Sequence, residues 1–183
     1  ITLGVAFLAG LKLTRPAMTA TAAQYIEDSA LYDLRLLSTI GFDDADVQAV
    51  SESENVLAAE GSANADFIWL RDGEEFVYRA HMLTDTINQP TLAAGSLPTR
   101  GDECVVDAKR FSEDMIGQKV RISDTGDEDS PFAYTEYTIT GLVYSPLYLS
   151  VERGTSSLGN GSLNGFVLIP PEGFDLEYYT ELY

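Results

Sequence analysis

The sequence has almost none of the residues that build cysteine-based or histidine-based sites. Its 183 residues include one cysteine, Cys104, and one histidine, His81. A single cysteine excludes an internal disulfide framework, and a zinc site based on cysteine lacks the further thiolates that it needs. The chain therefore has to fold on an apolar core, which 45% hydrophobic residues over this length can supply.

Positive charge is also scarce. The chain has 11 lysines and arginines against 29 aspartates and glutamates, which gives a formal net charge of −18. The phosphate backbone of a nucleic acid and an anionic lipid surface both repel such a protein. The composition therefore excludes non-specific nucleic-acid binding, and we expect no nucleic-acid partner.

The common catalytic and cofactor motifs are missing as well. The sequence has no His-Glu-x-x-His pair, no Gly-x-Ser-x-Gly elbow and no dinucleotide-binding glycine pattern. His81 lies at the end of a predicted hairpin strand, where we interpret it as structural. Cys104 follows Glu103, whose charge raises the pKa of a nearby thiol, so we interpret Cys104 as a core residue. We therefore expect no enzyme activity and no cofactor.

No apolar run is long enough to cross a bilayer by itself. Residues 1–11 are apolar and are followed by Lys12 and Arg15, whereas a membrane-spanning helix needs about 20 apolar residues. A signal peptide carries its charges before the apolar run rather than after it. We predict that residues 1–15 are the outer end of a membrane helix that begins upstream. The alternative is an ordinary buried N-terminal helix.

Helical and alternating patterns together predict an α+β fold. One helix is predicted over Ala17–Asp28, with Thr14 as its cap and Pro16 at its start. A second is predicted from the cap Asp43 to about Glu54, with its valines facing inward. A turn at residues 71–74 and a flexible loop at 154–165 are also predicted. The predicted strands are 33–38, 56–70, 75–82, 103–107, 119–123, 135–144 and 165–170.

The best metal candidate is an acidic cluster in residues 124–129. Its carboxylates, Asp124, Asp127 and Asp129, are the kind of ligand that calcium prefers. The positions of the glycine and the acids do not match an EF-hand loop, so a solvated turn between two strands is the favoured interpretation. Calcium remains the weaker alternative.

Several segments taken in order resemble one family of membrane proteins. They are 8–12, 16–18, 23–25, 34–42, 43–47, 92–98, 102–107, 116–120 and 137–143. Their order and spacing resemble the region after the first membrane helix in FtsX-like, MacB-type permease subunits of ABC transporters, particularly those of Gram-positive bacteria. Gln118 departs from the aspartate usual in that family, at a turn position where the difference should not matter.

The resemblance implies a MacB-like ectodomain with a helix-strand portion near the membrane and an inserted strand-rich subdomain. The implied division is 1–15 as the end of the first membrane helix, 16–86 as the α/β portion, 87–165 as the strand-rich subdomain, and 166–183 as the return to the first portion. It implies a non-catalytic domain on the extracytoplasmic side of the cell membrane, in a dimeric transporter. The implied partners are a cytoplasmic ATP-binding subunit and an envelope protein or an exported peptide or lipid.

Aromatic residues are the expected contact points for such a partner, since exposed tyrosines are common at interfaces. The candidates are Tyr144, Tyr148, Tyr178, Tyr179 and Tyr183. The favoured alternative is that most of them pack into the core or cover strand edges.

Two other interpretations of the whole chain stay open. One is a free-standing secreted or cell-surface binding module, in which residues 1–15 are leftover signal sequence. The other is a hydrolase that uses the acidic cluster with calcium.

Overall fold

The computed structural model describes residues 2–71, 73–123 and 130–183, with the side chains of the first helix described from Gly10 onward. The helices are α1 (Thr2–Asp28) and α2 (Asp44–Ser51), with single 3-10 turns at Glu113–Met115 and Pro171–Gly173. The strands are β1 (Leu36–Phe42), β2 (Gly61–Ser62), β3 (Asn64–Arg71), β4 (Glu74–Met82), β5 (Thr91–Gly95), β6 (Glu103–Asp107), β7 (Lys119–Arg121), β8 (Glu136–Tyr144), β9 (Gly165–Ile169) and β10 (Tyr179–Leu182). The predicted α+β class is confirmed.

A seven-stranded mixed sheet forms the body of the molecule. Its strand order is β3-β4-β9-β6-β8-β5, with β7 paired to β8. The pairs β4–β9 and β6–β8 are parallel, and the other pairs are antiparallel. Every residue of β9 is buried, as are the last four residues of β6, because the two strands lie in the middle of the sheet. The aromatic side chains of Trp69, Tyr78 and Phe111 pack together in the core, with ring centroids 5.5–5.7 Å apart.

A smaller sheet brings the early and late parts of the described chain together. Its order is β1-β10-β2, and both pairings are antiparallel. Strands β3 and β4, which the sequence assigns to the first portion of the domain, belong to the seven-stranded sheet with β5–β9. The proposed division at 86/87 and 165/166 stays a prediction.

The first helix differs from its prediction. A helix was expected to start at Pro16, but α1 runs without a break from Thr2 to Asp28 with Pro16 inside it. Thr14 is not an N-cap, because its hydroxyl donates to the Gly10 carbonyl 2.9 Å away, four residues earlier. Since this stretch is exposed, water can satisfy the carbonyl that proline leaves without a partner. No helix among the described residues is both long and apolar enough to cross a membrane.

The second helix begins as the sequence predicts. Asp43 is the N-cap and forms a capping box with Asp46, in which each carboxylate accepts the other residue's backbone N–H. The helix ends at Ser51 rather than near Glu54, and its valines are only half-buried rather than fully inward.

The strand predictions are confirmed for the hairpin and for most of the central sheet, with shifted ends elsewhere. The predicted 33–38 strand is displaced to Leu36–Phe42, and the single strand predicted at 56–70 is two strands, β2 and β3. Two further strands, β5 and β10, were not predicted. Both are short and carry little alternation of apolar and polar residues.

The C-terminus of α1 ends in a turn that is unusual for its residue type. The Ala30 N–H donates to the Glu27 carbonyl and the Leu31 N–H to the Ile26 carbonyl, at 3.0 and 3.1 Å, which is the Schellman pattern. Ala30 has φ +46°, a left-handed conformation in which its Cβ is crowded and glycine is not.

Replacing Ala30 with glycine should therefore stabilise the protein. We expect Ala30→Gly to raise the free energy of unfolding by about 0.5–1 kcal/mol, as measured by urea denaturation. The matched control is Ala49→Gly inside α2, which should lower it by a similar amount because glycine is unfavourable in a helix interior. A loss of stability in Ala30→Gly would contradict the role given to this turn.

Candidate functional site

One cavity lies where the C-terminal part of α1 meets the seven-stranded sheet. Its volume is about 340 Å³. Side chains from α1, β8 and β9 surround it together with the segment 145–153, which follows β8. We call it the Tyr148 cavity. Its lining residues are Tyr25, Thr91, Asp107, Lys109, Tyr144, Ser145, Tyr148, Leu149, Arg153 and Phe166.

A buried ion pair lines the Tyr148 cavity. Arg153 Nε lies 2.6 Å from Asp107 Oδ2, and Arg153 Nη2 lies 3.0 Å from Asp107 Oδ1. Each side chain is only 1% exposed. The guanidinium also donates to the Ser150 and Val151 carbonyls, and Asp107 Oδ1 accepts the Lys109 N–H. Both charges are thus paired and hydrogen-bonded, as burial requires. The pair fixes the 150–153 segment against the end of β6.

An aromatic stack packs against this ion pair. The rings of Tyr148 and Phe166 are stacked with centroids 4.6 Å apart and planes 4° from parallel. The guanidinium carbon of Arg153 lies 5.5 Å from the Tyr148 ring centroid and 5.8 Å from that of Phe166. Cation–π attraction therefore adds to the stacking and holds this wall of the cavity in one arrangement.

The only histidine supports the same tyrosine from β4. His81 Nε2 and the Tyr148 hydroxyl share a hydrogen bond of 2.8 Å. Burial lowers the pKa of His81 to about 3, with further lowering by Arg79 and Arg35, and burial raises the pKa of Tyr148 to about 12. Both groups are neutral near pH 7. His81 is therefore held as a structural hydrogen-bonding group, which agrees with its sequence interpretation and does not suit a general base or a charged acid.

The single cysteine lies elsewhere in the core. Cys104 is fully buried on β6, and burial together with the Glu103 charge raises the pKa of its thiol. Little thiolate exists at neutral pH, and the side chain has no access to solvent. Cys104 is thus a core residue, as the sequence predicts, and not suited to nucleophilic attack.

A second constellation lies at the small sheet, and we call its five residues the Glu181 clasp. Buried Glu181 accepts hydrogen bonds from Arg35, from Asn64 and from the Tyr183 hydroxyl, the last at 2.5 Å. Tyr183 also stacks on Tyr32, with ring centroids 5.0 Å apart. Burial first, and then the bond to Glu181, raise the pKa of Tyr183. The clasp joins the segment after α1 to the strand β10.

The five candidate tyrosines occupy three different places. Tyr144 and Tyr148 line the Tyr148 cavity, and Tyr183 belongs to the Glu181 clasp. Tyr178 and Tyr179 line a second cavity of about 300 Å³ beside the N-terminus of α2. Tyr144 and Tyr178 are exposed, whereas Tyr183 is buried.

The acidic cluster with Asp124, Asp127 and Asp129 lies outside the described residues. Within the described ranges no three His, Cys, Asp or Glu side chains are grouped as metal ligands.

Sequence reasoning missed the charged residues of both constellations. Asp107 and Arg153 are 46 positions apart, and Arg35 and Glu181 are 146 apart. Neither pair has a local spacing that could reveal it. The one available signal is the aspartate that closes the apolar strand β6, because an acid at a buried strand end needs a partner.

Comparison with known proteins gives a structural match without a sequence match. No protein-family model matches the chain, and no curated protein matches it. The fold is similar to the extracellular domain of the noncanonic ABC-type transporter YknZ from Gram-positive bacteria, with a TM-score of 0.50 and 11% identity over 79% of this chain and 73% of that one. The periplasmic region of MacB from Actinobacillus actinomycetemcomitans gives a TM-score of 0.46 and 11% identity over 82% and 64%. The expected ectodomain fold is confirmed.

The buried, neutral state of His81 can be tested by NMR, because the ring resonances of the only histidine in the sequence need no separate assignment. We expect its ring resonances in NMR spectra to stay unchanged from pH 8 to pH 5. The unfolded chain takes up a proton near pH 6.5 and the folded chain only near pH 3. The free energy of unfolding should accordingly fall as the pH falls between these values, by up to about 1.4 kcal/mol per pH unit from this group. A titration midpoint between 6 and 7 would refute the buried neutral state.

The burial of Cys104 predicts a thiol that reagents reach only after unfolding. At pH 8 the folded protein should give no reaction with a disulfide reagent such as DTNB over minutes, and one thiol per chain should react in guanidinium chloride. Rapid stoichiometric labelling of the folded protein would show that Cys104 is accessible and would reopen a nucleophilic role.

Proposed function

We propose that this chain is the extracytoplasmic domain of an ABC transporter permease subunit and that it performs no chemistry of its own. The observation that carries the proposal is the fold shared with the YknZ extracellular domain over 79% of this chain. The motif order in the sequence points to the same family independently. The neutral, buried states of His81 and Cys104 agree with a non-catalytic domain.

The proposed role is to transmit movement. Helix α1 is 27 residues long, or about 40 Å, and its described surface is largely exposed. Its C-terminal end is fastened to the body, because the Asn88 and Gln89 N–H groups donate to the Ala30 and Ser29 carbonyls at 2.8 Å. A displacement of α1 would therefore act directly on the loop before β5.

The Glu181 clasp provides a second route from the helix to the body. Arg35 follows α1 by seven residues and is bound to Glu181 on β10. The β10 strand pairs with β1 and β2, and the Tyr183 N–H and carbonyl exchange hydrogen bonds of 3.0 Å with Glu60. Chain segments that enter and leave the domain would thus move as one body. An ectodomain inserted between two membrane helices needs such a junction.

The partners in this proposal follow from the transporter class. A cytoplasmic ATP-binding subunit would drive the movement through the membrane part, two permease subunits would form the working dimer, and the domain would act on an exported peptide or lipid or on an envelope protein. The Tyr148 cavity also suits a free-standing secreted or cell-surface binding module, which is the second candidate.

The proposal is tested on the intact gene product with its flanking sequence. We expect it to be extracted from membranes in detergent together with an ATP-hydrolysing subunit. A soluble product without that subunit would overturn the transporter assignment and favour the secreted binding module.

Transmission is tested with a matched pair of arginine variants in that complex. We expect Arg35→Gln to lower the free energy of unfolding, because Glu181 keeps only the neutral donors Asn64 and Tyr183. In the folded complex with the ATPase, we expect it to reduce nucleotide-driven displacement of the domain. The displacement is measured between spin labels on Leu97→Cys in the two subunits. Arg100→Gln is the control, because it removes an exposed arginine that pairs with its chain neighbours Asp102 and Glu103, and the displacement should be unchanged. Equal displacement in both variants would exclude the clasp as a route.

A further inference from the structure

We propose that the Tyr148 cavity binds a small aromatic or apolar molecule that carries one anionic group. This proposal does not depend on the transporter assignment. It rests on the volume of the cavity, its fixed aromatic wall and the balance of charges around it.

The cavity has the size and surface of a small-molecule site. A volume of about 340 Å³ lies within the range of ligand pockets, about 300–1,000 Å³. Tyr25, Tyr144, Tyr148 and Phe166 supply aromatic surface from four different parts of the chain. The stacking of Tyr148 on Phe166 and the hydrogen bond from Tyr148 to His81 hold that surface in place before any ligand arrives. Such preorganisation lowers the entropic cost of binding.

The charges of the lining favour an anion. Asp107 is the only carboxylate in the lining, and Arg153 neutralises it with two hydrogen bonds. Lys109 also lines the cavity and is exposed, and it forms no ion pair with any residue of the described ranges. The lining therefore has one more cation than carboxylates, in a chain whose formal net charge is −18.

The second cavity, beside the N-terminus of α2, differs from the Tyr148 cavity in the charge of its lining. It is similar in volume, about 300 Å³, and also has aromatic walls, including Tyr178. Its lining contains three carboxylates, Asp43, Asp44 and Glu177, and no lysine or arginine. An anion would be repelled there by unpaired negative charge. The second cavity therefore serves as an internal control, because it offers aromatic surface without a lysine or arginine.

Two fluorescent probes that share one aromatic scaffold separate the requirement for an aromatic body from the requirement for an anionic group. 1-Anilinonaphthalene-8-sulfonate carries an aromatic body and a sulfonate, and N-phenyl-1-naphthylamine is the same body without the sulfonate. We expect wild-type protein to bind both saturably, measured by fluorescence titration. Lys109→Gln should weaken binding of the sulfonate about fivefold and leave the neutral probe within about twofold. Lys119→Gln, another exposed lysine outside the cavity, should change neither.

The aromatic requirement is tested with two exposed tyrosines. Tyr144→Ala should weaken both probes about tenfold, because it removes part of the cavity wall. Tyr178→Ala, in the acidic cavity, should leave both unchanged; Tyr144 and Tyr178 are 43% and 51% exposed, so neither substitution removes a buried core residue. Near-UV circular dichroism has to match wild type in each variant, because partly unfolded proteins also bind the sulfonate.

The proposal is overturned if wild type binds neither probe saturably. It is also overturned if Lys109→Gln leaves the sulfonate affinity unchanged, or if the affinities depend on Tyr178 instead of Tyr144. Amide chemical-shift changes on titration of wild type with the sulfonate give a second readout. They should concentrate around Tyr148 and Phe166, and changes centred on Asp43 and Glu177 would place the probe in the wrong cavity.

Discussion

A buried carboxylate determines how the small sheet is assembled. Glu181 is almost fully excluded from solvent, and a carboxylate in that position is costly unless charged or polar donors surround it. Its donors come from three separate parts of the chain, through Arg35, Asn64 and Tyr183. Folding β10 into place therefore brings the segment after α1, the start of β3 and the last described residue together. Glu181 thus joins the segment after α1 to β10, in addition to the Asn88 and Gln89 hydrogen bonds that hold the end of α1 itself.

A second buried carboxylate, Asp107, is also satisfied by an arginine, with a different consequence. Asp107 and Arg153 are both excluded from water, and their pairing holds the irregular 150–153 segment against β6. Removing one partner of such a pair costs about 3–5 kcal/mol, because the other charge stays buried without compensation. The pair also places Arg153 beside Tyr148 and Phe166 and so shapes the cavity wall. The Asp107–Arg153 pair therefore shapes a cavity wall as well as holding a loop, whereas the Glu181 clasp joins the segment after α1 to β10.

Local patterns in the sequence predict the parts of the fold whose causes are local. The N-cap at Asp43 and the β3–β4 hairpin depend on neighbouring residues, and both were predicted. Strand β10 was not predicted, because its sequence Tyr-Thr-Glu-Leu carries a charge whose partners are remote. For the same reason the sequence named Tyr144 and Tyr148 as aromatic candidates but missed Arg153 and Lys109, which give the cavity its charge.

The scarcity of cations makes their placement informative. Arg35, Arg79, Arg100, Lys119, Arg121 and Arg153 all form ion pairs with carboxylates in the described structure. Because a carboxylate neutralises each of these six cations, they attract an incoming anion only weakly. Five cations form no ion pair within the described ranges: Lys12, Arg15, Arg71, Lys109 and Arg110. Of these five, Lys109 lines the Tyr148 cavity, whose single carboxylate is already neutralised by Arg153. An acidic protein repels anions over most of its surface. A cation without an ion pair, placed at an aromatic cavity, therefore makes that cavity selective for anions over the rest of the surface. The same residue on a basic protein would give no such selectivity, because anions would bind at many other places.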